Sequence, residues 1–133
     1  ITTGSGGITS GESYYNAEDL KWLSLIIYAE SGNQPLSGKI AVGNVVLNRV
    51  ASPRFPNTVY EVIFQRNQFT PTINGSIYRT PNAESVVAAK LCLEGVNTAG
   101  NSLYFVNPRV SPNSWAQRNR PYVATIGAHA FFA

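Results

Sequence analysis

The residues from Leu20 to Val50 constrain the fold most, because they predict two helices joined by a short turn. Leu23, Ile26 and Ile27 recur at the spacing of one helical face, which gives the first helix an apolar stripe. Gly43, in the second helix, leaves room for a neighbouring helix to approach closely. The sequence therefore predicts that this pair of helices forms the centre of the structure.

Glu30 follows Ile27 by three residues and Ile26 by four, so it continues the apolar stripe to the end of the first helix. A carboxyl group that faces inward loses water, which raises its pKa above the usual value of about 4.3 and favours the protonated form near neutral pH. A protonated carboxyl is what a general acid requires. The stripe alone leaves a second interpretation open, in which Glu30 turns to solvent at the helix end.

The chain has only seven acidic residues. The other six are Glu12 in the N-terminal segment, Glu18, Asp19 and Glu84 in the first turns of predicted helices, and Glu61 and Glu94 at solvated helix positions. A standard glycosidase uses two carboxylates, and Glu30 has no convincing partner in this set. One carboxyl can suffice if the substrate itself supplies the nucleophile.

Length and composition narrow the class of protein. The 133 residues fit one domain, and 44% hydrophobic content with 13% charged residues is typical of a globular core. A single cysteine rules out an internal disulfide, and no apolar run approaches the 18 residues of a membrane span. The net charge of +3 suits an anionic polymer such as cell wall, but without a Lys/Arg run it does not predict a nucleic-acid partner.

The composition divides the chain into two parts. Residues 1–13 are rich in Gly, Ser and Thr and predict a flexible tether, whereas residues 14–133 predict the functional domain. Because the first residue is Ile, we expect the chain to be a processed or excised piece. A tether implies a targeting or wall-binding module upstream, and a ragged chain end without such a module is the alternative.

The middle of the chain predicts a small β-hairpin. Asn67–Thr72 and Ile77–Tyr78 are expected to be its strands, and Asn74-Gly75 its turn. The remaining predicted elements are a short helix over Thr58–Phe64, a helix capped by Thr80, a strand over Leu103–Val106, a polar loop over residues 109–121, and an apolar segment over Val123–Phe132 that packs onto the core.

Asn44 and Asn48 lie four residues apart and therefore share one face of the second helix. Asparagine is a poor residue for a helix interior, so two on one face suggest a specific role. They could line a sugar site, support Glu30 or point to solvent, and we favour buried hydrogen-bonding structure over direct catalysis.

Cys92 and His129 are the other candidates for chemistry. They could form a nucleophile and base, but Cys92 lies on an apolar helical face, where an inert core thiol is the usual outcome. His129, between two alanines, is expected to be a hydrogen-bonded core residue or part of a site wall. One His and one Cys without carboxylate clusters do not form a metal site, and no phosphate-binding glycine loop occurs, so no metal or cofactor is predicted.

Several segments, taken together and in order, resemble one family. The segment IYAESGNQPLSGKIAVGNVVLNRV resembles the signature of the SleB/CwlJ-type cell-wall hydrolases, the spore cortex-lytic enzymes. Further matches are SPRFPNTVYEVIF, QFTP, the TPN helix start, LYFVNP and RPYVATIGAHAFF. The resemblance covers about residues 16–132, nearly the whole chain beyond the tether.

The resemblance implies an α+β fold: a mainly helical, lysozyme-like domain with a small antiparallel β-sheet beside the active-site cleft. It implies Glu30 as the catalytic residue of a lytic transglycosylase that cleaves the bond from muramic acid to glucosamine in peptidoglycan. Glu30 would protonate the glycosidic oxygen and then take the proton of the sugar's C6 hydroxyl, which closes a 1,6-anhydro ring. This mechanism agrees with the shortage of acids found above.

The resemblance also implies the walls of the site. Gln68, Phe69 and Thr70 match the family's QFT strand, and Tyr104 and Asn107 match its YF-x-NP strand, so all five are expected to bind substrate. Many relatives carry a basic and an acidic residue soon after the catalytic Glu. This chain has instead Gly32-Asn33-Gln34, which affects the expected contacts near the helix end rather than the acid itself.

The expected partner is the peptidoglycan glycan strand, reached by an exported monomer at the bacterial cell wall or spore cortex. An upstream wall-binding module or a spore regulatory protein would be a further partner. Two alternatives remain open: a hydrolytic muramidase, in which water is the nucleophile, and a non-catalytic wall-binding module.

Overall fold

The structure is a computed structural model that describes residues 16–133, so the predicted tether over residues 1–13 lies outside the described part. The helices within it are α1 (Ala17–Ser31), α2 (Leu36–Ala51), α3 (Val59–Phe64), α4 (Thr70–Asn74), α5 (Ala83–Leu93) and α6 (Trp115–Asn119). The strands are β1 (Tyr104–Val106), β2 (Tyr122–Ile126) and β3 (His129–Phe132). This order of elements confirms the predicted α+β class, mainly helical with a small sheet.

The core lies where α1, α2 and α5 pack against one another. Asn16 caps α1 by accepting hydrogen bonds from two backbone N–H groups of the first turn. The predicted stripe of Leu23, Ile26 and Ile27 is fully buried, which confirms that this face of α1 is turned inward. None of the helices in residues 16–133 combines the length and the apolar character needed to cross a lipid bilayer.

At Gly43, α2 passes close to side chains of both α1 and α5. A Cβ added at Gly43 would lie 2.6 Å from Cys92 Sγ on α5 and 3.0 Å from Ile27 Cδ1 on α1. The Cys92 thiol has little freedom to move away, because it is buried and donates a hydrogen bond to the Ile40 carbonyl over 3.2 Å. The predicted role of Gly43 in close helix packing is therefore confirmed.

The three strands form an antiparallel sheet in the order β1-β3-β2. The central strand β3 is buried along its whole length, which confirms that the apolar C-terminal segment packs onto the core. At the β2–β3 turn, the backbone N–H of Ala128 donates a hydrogen bond to Gln34 Oε1 over 2.8 Å. This contact ties the sheet to the turn between α1 and α2, directly after Glu30.

The predicted hairpin is wrong. In place of strands over Asn67–Thr72 and Ile77–Tyr78, the chain forms α4 and then a 3-10 turn over Ser76–Tyr78. Pro71 lies in the first turn of α4, where its missing N–H has no cost. Gly75 then ends the helix with a φ of 82°, so Asn74-Gly75 is a helix stop rather than a hairpin turn.

Two other local predictions also need correction. The cap of α5 is Asn82, whose side chain accepts from Ser85 N over 2.9 Å, rather than Thr80. The predicted loop over residues 109–121 contains α6, which begins with a capping box formed by Ser114 and Gln117. Both features are short-range hydrogen-bond patterns that stabilise helix starts.

Replacing Gly43 with Ala is expected to destabilise the fold by about 1–3 kcal/mol, because the added methyl group overlaps Cys92 and Ile27. Gly38 in the same helix is the matched control, since a Cβ there meets its nearest neighbour only at 3.4 Å. Gly38→Ala should be neutral or stabilising, because alanine is the better helix former. Denaturant unfolding of both variants measures the difference, and equal free energies of unfolding would contradict this account.

Candidate active site

Glu30 is the penultimate residue of α1, is half-buried, and lines a cleft beside the sheet. Loss of water around the carboxyl raises its pKa from 4.5 to about 7. Within residues 16–133 no group forms an ion pair or a hydrogen bond with this carboxyl, so nothing offsets the cost of charging it. The structure thus favours the first of the two interpretations of Glu30, the inward-facing acid.

The cleft has a volume of about 400 Å³ and is lined by side chains from both halves of the chain. Glu30 from α1 and Arg49 from α2 lie on the helical side, and β1, β3 and the segment after β1 form the other side. The lining residues are Glu30, Arg49, Gln68, Phe69, Thr70, Phe105, Val106, Asn107, Val110, Ser111 and His129.

Most of the residues predicted for the site meet in this cleft. Gln68, Phe69 and Thr70 lie on its wall, although they lead into α4 rather than forming a strand. Asn107 and His129 line it as well. His129 is only 7% exposed, and burial lowers the pKa of its imidazole, which keeps the side chain neutral at pH 7.

Tyr104 lies outside the lining of this cleft. Its ring packs edge-on against Trp115, with centroids 5.5 Å apart, and under the Arg120 guanidinium. Its hydroxyl oxygen accepts a hydrogen bond from Arg54 Nη2 over 3.3 Å. The ring and the hydroxyl of Tyr104 are thus both engaged by the protein itself, and Tyr104 is not among the residues that line the cleft.

Asn44 and Asn48 stabilise the loop that leads into β1. Asn44 Nδ2 donates to the Val96 carbonyl over 2.9 Å, and Asn44 Oδ1 accepts from Thr98 N over 2.8 Å. Asn48 Nδ2 donates to the carbonyls of Gly100 and Ser102 over 3.0 and 2.9 Å. Of the roles considered for this pair, their contacts favour buried hydrogen-bonding structure.

Arg49 is the residue of the cleft that the sequence interpretation missed. It is 5% exposed, its Nε donates to the Leu103 carbonyl over 2.8 Å, and its Nη1 donates to Gln68 Oε1 over 3.0 Å. Its guanidinium also lies over the rings of Phe55 and Phe69, at 4.7 and 5.3 Å. The available signal was its position three residues after Val46, on the buried face of α2.

Burial lowers the pKa of Arg49 to about 10, so the guanidinium still carries its charge at neutral pH. Within residues 16–133 this cation has no carboxylate partner.

Glu30 is also the only acidic side chain among the described residues that line the cleft. Glu84 forms an ion pair with the buried Lys39, with 2.6 Å between Nζ and Oε1. Glu61 accepts a hydrogen bond from the Thr58 hydroxyl over 2.9 Å at the start of α3. The described acids therefore offer no second carboxylate at this cleft.

Cys92 does not have the properties of a nucleophile. Burial raises the pKa of its thiol to about 12, and the thiol packs at the contact between α2 and α5. No group of three or more His, Cys, Asp or Glu side chains comes together within residues 16–133 in a way that could hold a metal ion.

A second groove adjoins the first at Glu30. It has a volume of about 380 Å³, and Glu30 lines both grooves. Its remaining lining residues are Tyr28, Ala29, Gly32, Asn33, Arg79 and Asn82. Glu30 is therefore the residue that borders both depressions.

Comparison with known proteins identifies the family that this chain resembles. The model of the family described as Cell Wall Hydrolase matches residues 33–132, beginning just after Glu30. The spore cortex-lytic enzyme of Bacillus cereus is 39% identical over 117 residues, which are 88% of this chain and 45% of that protein. The spore cortex-lytic enzyme of Bacillus subtilis is 34% identical, over 88% of this chain and 38% of that protein. The chain thus spans less than half the length of these relatives.

A solved structure gives the corresponding likeness in three dimensions. The catalytic domain of the germination-specific lytic transglycosylase SleB from Bacillus anthracis superimposes with a TM-score of 0.82 at 39% sequence identity. The superposition covers 90% of this chain and 97% of that domain. The predicted fold is confirmed by this likeness together with the small sheet that borders the cleft.

The raised pKa of Glu30 predicts a specific pH dependence of stability. Because the unfolded chain ionises this carboxyl near 4.5 and the folded chain near 7, wild-type stability should fall as pH rises between these values. Glu30→Gln, which cannot ionise, should match the wild type below pH 4.5 and exceed it by up to about 3 kcal/mol at pH 8. Urea unfolding across this range measures the difference, and parallel profiles would contradict the assigned burial.

Proposed function

This chain belongs to the cell wall hydrolase family, and from that membership we propose that it is a lytic transglycosylase acting on peptidoglycan. The observation that carries the proposal is the lone, half-buried Glu30, with a pKa of about 7, in a cleft without a second described acid. The names of its relatives support the substrate: they are spore cortex-lytic enzymes, and the similar solved domain is a lytic transglycosylase.

The first chemical step is protonation of the glycosidic oxygen by Glu30. A pKa of about 7 leaves roughly half of the carboxyl groups protonated at neutral pH, whereas a solvated glutamate is almost fully ionised. As the bond from C1 to the leaving oxygen breaks, the proton moves from Glu30 to that oxygen. The sugar that keeps C1 then carries positive charge, as in other glycosidic cleavages.

The second step returns Glu30 to its starting state. The carboxylate takes the proton of the C6 hydroxyl on the same sugar, and O6 forms the new bond to C1. The product ends in a 1,6-anhydro ring, and no water is consumed. Because the nucleophile belongs to the substrate, the enzyme needs no second carboxylate, which agrees with the acids that line the cleft.

The two grooves support binding on both sides of the cleaved bond. Glu30 is shared between them, so a glycan strand lying through both would place a bond between sugars at the carboxyl. Gln68, Thr70 and Asn107 supply polar groups in the first groove, and Phe69 is buried beneath its wall. We propose that Gln68, Thr70 and Asn107 bind the strand at the bacterial cell wall or spore cortex, and that the buried Phe69 supports the wall from behind instead of contacting the strand.

Glu30→Gln should retain the fold and abolish the clearing of peptidoglycan suspensions, because the amide cannot donate and recover a proton. A decrease in turbidity over time measures clearing, and circular dichroism checks the fold. Glu94→Gln is the matched control, since Glu94 is exposed at the end of α5 and lies outside both grooves. Substantial clearing by Glu30→Gln would remove Glu30 from the mechanism.

The products separate transglycosylation from hydrolysis. Mass spectrometry of the soluble fragments should show muramic acid ends that are one water lighter than reducing ends, because O6 replaces water as the nucleophile. Reducing ends would instead indicate a muramidase in which water attacks C1. Binding to peptidoglycan without any soluble fragments would favour a wall-binding module.

A further inference from the structure

His129 is a buried, ionisable side chain of the cleft to which the proposed reaction assigns no role. It is the first residue of β3, it is 7% exposed, and it lines the same cleft as Glu30. The rings of Phe105 and Phe131 pack edge-on against its imidazole, with centroids 5.2 and 6.3 Å away. These contacts restrict the orientation of the imidazole ring.

The imidazole of His129 forms no hydrogen bond with any group of residues 16–133. Its Nδ1 atom is fully enclosed by the protein and has no partner. Nε2 is not enclosed in this way, so it is the ring nitrogen that can meet a molecule in the cleft. Buried polar groups nearly always have a hydrogen-bond partner, and a side chain without one beside a cleft therefore points to a ligand.

The surroundings of the imidazole decide which nitrogen carries its proton. Burial lowers the pKa of His129, so at pH 7 only one of the two ring nitrogens is protonated. A proton on Nδ1 would create a buried N–H group without an acceptor, which is rare in proteins. The proton therefore belongs on Nε2, an assignment made from the hydrogen-bonding environment, and Nε2 is a donor toward the cleft.

A backbone contact places the start of β3 next to the turn that follows Glu30. The N–H group of Ala128, directly before His129, donates to Gln34 Oε1 over 2.8 Å, and Gln34 is the fourth residue after Glu30. His129 and Glu30 then border the same volume of about 400 Å³. A sugar in this cleft can therefore meet the Nε2 donor and the carboxyl together.

The cleft, which is the first of the two grooves that Glu30 borders, is also the better enclosed. Arg49, Phe69 and His129 are buried residues of its lining. The residues that line the second groove are all exposed or half-buried. Because water competes with an internal nucleophile, we expect the sugar that attacks its own C1 in the groove from which water is better excluded.

The chemistry of the strand identifies the group that Nε2 would meet. In a glycan strand, muramic acid has C1 and C4 in glycosidic bonds, nitrogen at C2 and the lactyl ether at C3. Its C6 hydroxyl is therefore its only free hydroxyl on the sugar, and it is the nucleophile of the proposed reaction. O6 has two lone pairs, so one can accept from a donor while the other attacks C1.

We propose that His129 positions the C6 hydroxyl of muramic acid in the first groove, with Nε2–H donating a hydrogen bond to O6. The proposal rests on the proposed function, because it names a contact to the nucleophile of that reaction. His129 neither gains nor loses a proton: O6 gives its proton to the Glu30 carboxylate and forms the bond to C1 that replaces the bond to the leaving oxygen. Holding O6 in place favours it over water as the nucleophile.

Three replacements of His129 separate this role from a purely structural one. Glutamine can place its NH₂ group near the position of Nε2, asparagine can place it only near that of Nδ1, and phenylalanine packs against the same rings without a polar group. Mass spectrometry of digested peptidoglycan gives the ratio of reducing ends to anhydro ends. Loss of positioning slows the attack of O6 but not that of water, so His129→Phe and His129→Asn should raise this ratio about ten-fold or more. His129→Gln should keep it close to the wild-type value.

Gly43→Ala is the control for a loss of stability. Gly43 lies at the contact of α2 with α1 and α5 and lines neither groove, so this variant should keep the wild-type ratio of ends even though it is destabilised. A His129→Phe chain that digests peptidoglycan with the wild-type ratio would overturn the proposal. So would a His129→Gln ratio as high as that of His129→Phe.

The ¹⁵N signals of His129, the only histidine in the sequence, test the contact without changing the residue. The ligand, added to the Glu30→Gln chain, is a tetrasaccharide of alternating N-acetylglucosamine and N-acetylmuramic acid with its lactyl carboxyls as amides. The comparison ligand has hydrogen in place of the C6 hydroxyl on each muramic acid. The first ligand should shift the Nε2 signal and the second should leave it near its unliganded position. Equal shifts, or a proton on Nδ1 in the unliganded protein, would contradict the assigned contact.

Failure of this proposal is distinguishable from failure of the proposed function. Wild-type fragments with anhydro ends, and the same ratio of ends from His129→Phe, would remove only the role of His129. Wild-type fragments with reducing ends alone, from a chain whose Nε2 signal responds to the C6 hydroxyl, would remove transglycosylation and keep the contact.

Discussion

Desolvation of one carboxyl at the end of α1 is the constraint on which the rest of the cleft depends. Ile26 and Ile27 are fully buried, which fixes the rotation of α1 about its axis. Because Glu30 lies one turn later on the same face, the packed core keeps it half-buried rather than turned out to bulk solvent. The contact of Ala128 N with Gln34 Oε1 then holds the following turn against the sheet. The packing of apolar residues thus raises the pKa of the Glu30 carboxyl by burial alone, without a hydrogen bond to it.

Two of the ionisable side chains that line the cleft, Glu30 and Arg49, respond to burial in opposite ways. Glu30 can avoid burying a charge by holding its proton, and its pKa rises accordingly. Arg49 keeps its charge even with its pKa lowered to about 10, so the fold must stabilise the cation. It does so with the Leu103 carbonyl, with Gln68, and with the faces of aromatic rings. These contacts stabilise the cation with carbonyl-type oxygens and aromatic rings, without a carboxylate from residues 16–133.

The sequence predicted the parts of the structure that depend on periodicity and missed those that depend on distant contacts. The apolar stripe of α1 drew attention to Glu30 without deciding whether it faces inward, and the family segments pointed to Gln68 and Asn107. The hairpin prediction failed because Asn-Gly also ends helices, and nothing local distinguishes the two uses. Arg49 donates a hydrogen bond to the carbonyl of Leu103, which is 54 residues away in the chain. The surroundings that bury Arg49 therefore form only in the assembled fold.

If Glu30 acts as proposed, the size of its pKa shift is what would let a single acid serve both proton transfers. At pH 7 a carboxyl with the ordinary pKa of 4.5 is protonated in roughly one molecule in 300, whereas a pKa of about 7 gives about one in two. A group that must donate a proton and take it back in successive steps works best when both forms are close in free energy at the working pH. An ion pair with a nearby arginine would lower the pKa again and remove this balance. The burial of Glu30, and the use of Arg49 toward Gln68 and Leu103 rather than toward Glu30, are therefore two parts of one requirement.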